Sequence, residues 1–353
     1  MMTQTMKAAV LYGKEDLRIE RLPIPEPAEG EVIVRVRAAL TCGTDLKVYR
    51  RGYHAKMLQP PIPFGHELAG HVAMVGAGVA DFHEGDRVVA LNSAPCGACY
   101  FCRRGQENLC DDLLFNNGAY AEYIRIPARI VAKNMLHVPE SVPLEHAAMT
   151  EPLACVVHGM EETGVQPGNQ IVVIGAGPIG LMFIHLAHQM GANVIAVVRR
   201  DAQAQTAKAL GASHVVDASV VEDVVAAVRA LTPGHRGANA VIEAVAMPQT
   251  WQWAVDMVCK GGAVNFFGGC AAGTTVALDT NRLHYSNLTL RASFHHRPSV
   301  CRSAFAWIAS GKFSSAAFLT GRAPLGDLVP VFARMMDRGT HSSSADIKTV
   351  ILP

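Results

Sequence analysis

The chain has 353 residues, half of them apolar and 17% charged, with 31 basic against 30 acidic side chains and a formal net charge of +1. Such a composition excludes a disordered chain and, at ~150 residues per domain, predicts about two domains. The balanced charge gives no reason to expect nucleic acid, an anionic membrane or a polyacidic partner.

The first twenty residues lack the charged-then-apolar layout of a signal peptide. From Glu31 to Arg37 the pattern alternates: Val32, Val34 and Val36 share one face, Arg35 and Arg37 the other. That predicts a half-buried antiparallel strand. The following 110 residues are rich in Gly and Pro and short of helical periodicity, so residues 1–155 read as a mainly β domain with irregular loops. Near residue 165 the character changes. Short apolar runs at 170–174, 194–198, 214–217, 240–245 and 263–267 alternate with helical stretches at 178–190, 201–210, 220–231 and from Pro248. Strand–helix alternation of this kind predicts an α/β domain with a doubly wound parallel sheet over 156–295, closed by a last strand at 288–292. Residues 296–353 hold an amphipathic stretch, Val300 to Ser310, and a short terminal strand, Thr349 to Leu352; this segment is expected to return to the first domain. The longest apolar stretch, Ile171 to His188, is broken by three glycines and a proline and carries two histidines. It does not read as a membrane span.

Three groups of residues carry chemistry. Gly175-Ala-Gly-Pro-Ile-Gly180 follows a predicted strand and opens a predicted helix, the setting of a dinucleotide-binding turn. Gly175 permits the turn, Gly177 lets a pyrophosphate approach the backbone, Gly180 lets helix and strand pack closely, and Pro178 and Ile179 open the helix whose N-terminus attracts the anion. At the tip of the next strand, Arg199 and Arg200 stand where an acid would repel a 2′-phosphate, which predicts NADP over NAD. Asp201 falls within the same window, and the alternative is that both arginines are solvated surface charges.

The nine cysteines are an odd number, and Cys96, Cys99, Cys102 and Cys110 fall within fifteen residues. Tight spacing in a long chain points to metal and a reducing, cytoplasmic setting rather than to a disulfide framework. Four thiolates close a tetrahedral shell about a structural zinc. Cys42, His66, Glu67 and Glu151 are ligand types of a different kind: one thiolate, one imidazole and one or two carboxylates about zinc leave a position open for substrate. Each also has an ordinary reading, as a buried thiol, a loop histidine or a helix N-terminal charge, and spacing does not assemble them.

Gly65-His-Glu-Leu-Ala-Gly70 with Gly76 and Val79, the cysteine cluster and the Gly175 fingerprint together resemble the zinc-dependent medium-chain dehydrogenase/reductase (alcohol dehydrogenase) family. Glu151-Pro152 and Cys42-Gly-Thr-Asp45 resemble its polyol (sorbitol-type) and threonine dehydrogenase branches. The resemblance implies a GroES-like catalytic domain joined to a Rossmann domain, two zincs per chain, and a homotetramer or homodimer. It implies hydride transfer between NAD(P) and a secondary alcohol, such as a polyol or sugar alcohol, giving the ketone. Carried over, Cys42, His66 and Glu151 resemble the ligands of the catalytic zinc, and Glu67 a carboxylate that exchanges onto it. Asp45 resembles the acid that orients the histidine, and Thr44 the hydroxyl that takes the substrate proton. The proton-relay histidine usual two positions after Asp45 is Lys47 here, so Lys47, His54 or water could carry the proton out, or Lys47 is simply solvated. The His295-His296 pair reads as a capping or surface feature, with a place in the substrate cleft as the alternative; Cys155, Cys259, Cys270 and Cys301 read as core or loop thiols. Two other functions fit less of the pattern: a zinc-independent enone or quinone reductase of the same fold, and a non-enzymatic NADP sensor.

Overall fold

The structure is a computed structural model that describes residues 4–54, 56–337 and 346–353. The chain divides into two units, Met1–Ala154 with His296–Pro353, and Cys155–His295.

In the first unit the alternating segment forms the strand Val32–Leu40. Arg35 and Arg37 are exposed and Val32, Val34 and Val36 buried, as the pattern predicts; Ile33 is buried too, so the start of the strand is covered on both faces. This strand pairs antiparallel with Leu68–Val75, Tyr123–Ile126 and the terminal strand Lys348–Leu352. The terminal strand begins one residue earlier than its sequence pattern suggests. Its pairing puts Val350 opposite Leu40 and Ile351 opposite Ala39. Val32, Val34, Val36, Leu68, Val72, Val88, Phe332 and Ile351 share one core, each large side chain contributing about 1.5–3 kcal/mol on burial. Tyr120, Phe64 and Phe332 meet edge-to-face in it.

The helix Gly43–Arg51 has no periodic apolar signal and is not predicted by the sequence pattern. Its caps account for it. The Cys42 sulfur accepts the Thr44 N–H, Asp45 sits in the first turn and Arg50 and Arg51 in the last, and Gly52 closes the end through its N–H to the Val48 carbonyl. Those charges match the helix dipole.

In the second unit six strands form one parallel sheet in the order Ala212–Asp217, Asn193–Val198, Gln170–Ile174, Ala238–Glu243, Val258–Phe266, Thr289–Ala292. The chain order reverses between Gln170–Ile174 and Ala238–Glu243, the switch point at which such sheets bind ligands. The helix expected over 220–231 is shorter, Val224–Ala230, because the Asp223 carboxylate accepts the Ala226 N–H and starts it there. Among the described residues no helix is long and apolar enough to cross a membrane.

Candidate active site

The capped helix and the start of the strand Leu68–Val75 bring together residues far apart in sequence. One oxygen of the Asp45 carboxylate lies 2.8 Å from His66 Nδ1, and both groups are buried. A carboxylate only accepts, so the imidazole donates from Nδ1, and in the neutral form its Nε2 keeps a lone pair for another partner. The Tyr120 hydroxyl donates to the other Asp45 oxygen at 2.6 Å, with the Leu40 carbonyl 3.0 Å away as the competing acceptor for the same proton. Burial alone would depress His66; the facing Asp45 carboxylate and Cys42 sulfur outweigh it and hold the imidazole well above its usual range. Ligand atoms of Cys42, His66 and Glu67 lie within 4.8 Å of one another. A soft sulfur, an imidazole and a carboxylate at that spacing suit a divalent ion such as zinc, with room for a further ligand. Asp45 then stands where an outer carboxylate orients a ligand histidine.

Glu67 is wholly buried and gripped by Lys348, whose ammonium donates to its two oxygens at 2.8 and 2.6 Å and to the Thr41 carbonyl at 2.8 Å. Glu151 lies in the first turn of the helix Thr150–Thr163, outside the Cys42–His66–Glu67 group. Burial raises its carboxyl to about 7, against the pull of His66. One of its oxygens is 3.8 Å from His296 Nε2. His296 is buried rather than at the surface, which corrects the sequence reading: its Nε2 is 3.0 Å from Asn92 Oδ1 and its Nδ1 3.3 Å from the Cys301 sulfur. Burial, then the Glu151 charge, pushes Cys301 well up, so it stays a thiol. His295 is half-buried with a left-handed backbone, φ 59°, and its carbonyl accepts from His158. Thr44 is half-buried at the head of the helix and Lys47 is exposed. His54 is half-buried, with Nδ1 accepting the backbone N–H groups of Lys56 and Met57 at 3.2 and 3.1 Å.

The four clustered cysteines converge. The Cys96 and Cys102 sulfurs are 4.0 Å apart and those of Cys99 and Cys110 3.8 Å. Zn–S bonds of about 2.3 Å in a tetrahedron require sulfurs about 3.8 Å apart, so this set fits a structural zinc with no open position. Backbone N–H groups of Ala98 and Cys99 point at the Cys96 sulfur and lower it to about 6, while burial pushes Cys102 up to about 12.

In the second unit, Gly175 ends its strand at φ 101° and Gly177 caps the helix Pro178–Gln189. A methyl group on Gly180 would run into the Gly175 carbonyl oxygen, whereas one on Gly177 would meet nothing within 4 Å. The first is the close helix–strand approach; the second leaves the backbone open to a pyrophosphate. Arg199 and Arg200 are exposed at the tip of Asn193–Val198, and Asp201 is exposed in the first turn of the next helix. Gln203 donates to the Ala176 carbonyl at 3.3 Å, tying that helix to the glycine turn.

Lys348, Tyr120, Asn92 and the placement of His296 are not found by the sequence reading. The one signal for Lys348 is a lone cation in the apolar run Ile347-Lys-Thr-Val-Ile351.

Comparison with known proteins adds independent information. Residues 28–140 match the family described as alcohol dehydrogenase GroES-like domain, and residues 178–310 the family described as zinc-binding dehydrogenase. A sorbitol dehydrogenase of Bacillus subtilis is 34% identical over 272 residues, 75% of each chain. A D-altritol 5-dehydrogenase of Agrobacterium fabrum is 33% identical over 342 residues, covering 93% of this chain and 96% of its own. A crystal structure of a zinc-binding dehydrogenase from Sinorhizobium meliloti with NADP bound superposes with a TM-score of 0.90 at 28% identity, covering 99% of this chain and all of the other.

Proposed function

The chain belongs to the zinc-dependent medium-chain dehydrogenase/reductase family, and we propose that it oxidises a secondary alcohol, of the polyol or sugar-alcohol class, to the ketone with reduction of NAD(P)+ and release of one proton. When bound, zinc supplies Lewis acidity toward the alcohol oxygen and the nicotinamide accepts the hydride. The observation that carries this reading is the meeting of Cys42, His66 and Glu67 within 4.8 Å, with Asp45 and Tyr120 aligned behind the imidazole.

Each residue has a task in this scheme. Cys42 and His66 are the fixed metal donors, and Glu67 and Glu151 are the two carboxylates available to complete the set. Asp45 holds His66 in the Nδ1–H form and Tyr120 holds Asp45. Thr44 takes the proton from the substrate hydroxyl at the head of the helix. Its route outward runs through His54 or water; Lys47, exposed on the same helix, serves as a solvated cation. Cys96, Cys99, Cys102 and Cys110 hold the structural zinc. Gly175, Gly177, Pro178, Ile179 and Gly180 cradle the pyrophosphate, and Arg199 and Arg200 take the 2′-phosphate, which favours NADP.

Altritol and sorbitol dehydrogenases among the relatives favour a polyhydroxy substrate. A homodimer or homotetramer is supported by the mostly exposed edge strand Thr289–Ala292 of the parallel sheet, with Tyr285 and Phe294 exposed beside it, because such an edge invites pairing with a second copy. A reducing cytoplasm is supported by the convergence of Cys96, Cys99, Cys102 and Cys110 as a metal-binding group rather than as disulfide pairs.

The test is a panel of polyols and secondary alcohols assayed with both cofactors, alongside zinc counting. Two zincs per chain, NAD(P)-linked turnover, and its loss in Cys42→Ala and His66→Ala with the four-cysteine zinc retained are expected. Turnover surviving in variants verified to hold one zinc would overturn the reading in favour of a zinc-independent reductase. Two zincs with no turnover across the panel would favour a sensor.

A further inference from the structure

The contact of Lys348 with Glu67 joins two buried groups 281 residues apart. All three ammonium protons are spent: two on the Glu67 oxygens, one on the Thr41 carbonyl. The strand that carries the lysine is fastened beside the site. Thr41 donates its N–H to the Thr349 carbonyl at 3.0 Å and accepts the Thr349 N–H on its hydroxyl at 2.9 Å, and the Lys348 N–H goes to the Phe318 carbonyl at 3.0 Å. Glu67 is fastened in turn, its carbonyl accepting the Leu40 N–H at 3.1 Å. Neither partner is free to follow the other, so Glu67 can turn to a metal at Cys42 and His66 only by surrendering two charge-assisted bonds and leaving a buried ammonium uncompensated.

We infer that Lys348 is a positioning residue that withholds Glu67 from the metal, so that a coordination position stays open for the substrate oxygen. This rests on the proposal that Cys42 and His66 hold a zinc. A carboxylate at the end of a fixed main chain, within ligand range of both, would otherwise be a standing competitor with the alcohol. The salt bridge makes that competition unfavourable at rest while leaving Glu67 available as a transient ligand when substrate or water exchanges.

The sign of the effect separates this role from a merely structural one. A structural pair, once broken, loosens the site and weakens metal binding. A withheld ligand, once released, strengthens it. The experiment measures zinc affinity of the full-length protein by chelator competition, with Cys42→Ala as the reference that keeps only the four-cysteine metal. Lys348→Met is expected to bind the second zinc about tenfold more tightly than the unaltered chain, opposite in sign to the roughly 10–100-fold loss that follows removal of a supporting outer partner. The same variant should show a raised KM for the alcohol. Adding Glu67→Gln, which removes both charges together, should return the affinity to its starting value. Weaker or unchanged zinc binding in folded Lys348→Met overturns the inference. Should that variant not fold, Glu67→Gln alone decides: affinity within about threefold of the unaltered chain supports withholding, and a tenfold or greater loss overturns it by making Glu67 a resting ligand. A single zinc in the unaltered chain would instead overturn the underlying metal proposal, and this inference with it.

Discussion

Tyr120→Phe tests the chain of bonds behind the imidazole with least disturbance to the core. The ring of Tyr120 is wholly buried and stacks edge-to-face on Phe64 and Phe332 at centroid distances of 6.0 and 6.1 Å. Phenylalanine keeps those contacts and leaves a gap of only one oxygen atom. What disappears is the hydroxyl, and with it the 2.6 Å bond to Asp45 and the weaker 3.0 Å contact with the Leu40 carbonyl. A hydrogen bond to a charged group contributes about 1.5–3 kcal/mol, and a buried carboxylate left short of a donor bears that cost in full. Taking about 2 kcal/mol, the folding equilibrium of this unit falls roughly thirtyfold, and its melting temperature falls by about 4–8 °C.

A second consequence follows at the metal. With one oxygen unsatisfied, Asp45 is freer to rotate away from His66 Nδ1, and the imidazole loses its fixed orientation. Changes to such outer partners cost about tenfold or more in metal affinity. Differential scanning calorimetry and chelator competition on the purified variant measure the two effects. Melting within about 1 °C of the unaltered chain, together with unchanged zinc affinity, would refute the coupling, since a loss of at least 1.5 kcal/mol predicts more than that.

Two other changes probe the nucleotide side. Gly180→Val places side-chain carbon against the Gly175 carbonyl oxygen and should raise the Kd for NADPH at least about tenfold, by the close packing that the turn requires, while zinc content stays at that of the unaltered chain; fluorescence titration and metal analysis read the two. Replacing Arg199 and Arg200 together by alanine should lower kcat/KM for NADPH by about 10–100-fold with little change for NADH, since charge-assisted bonds to a 2′-phosphate are lost; equal losses with both cofactors would refute the assignment of these arginines.

What the sequence makes legible divides along a physical line. Gln170–Ile174 and its neighbours are read correctly because a strand buried on both faces must be apolar throughout, and the glycine turn because only glycine tolerates φ 101° and the helix–strand contact at 175 and 180. The helix Gly43–Arg51 escapes because its stability comes from caps and end charges, which leave no apolar stripe. His296 is misread because a histidine pair in a polar stretch looks solvated, whereas its partner Asn92 lies 204 residues away and meets it only in the fold.

Lys348 is the sharpest case, and it changes how the site is understood. A lone lysine in an apolar terminal strand is ambiguous by pattern: it marks a solvent-facing position at a sheet edge or a buried cation with a partner. Burial settles which, and burial depends on Val350 pairing with Leu40 across more than 300 residues. The same register that seats Ile351 in the core sets Thr349 on Thr41 and Lys348 on Glu67. A one-residue slip would send Lys348 to the opposite face of the strand and leave Glu67 buried without its cation, because side chains alternate with a period of two. Hydrophobic packing at the end of the chain thereby determines that the buried Glu67 carboxylate rests on Lys348.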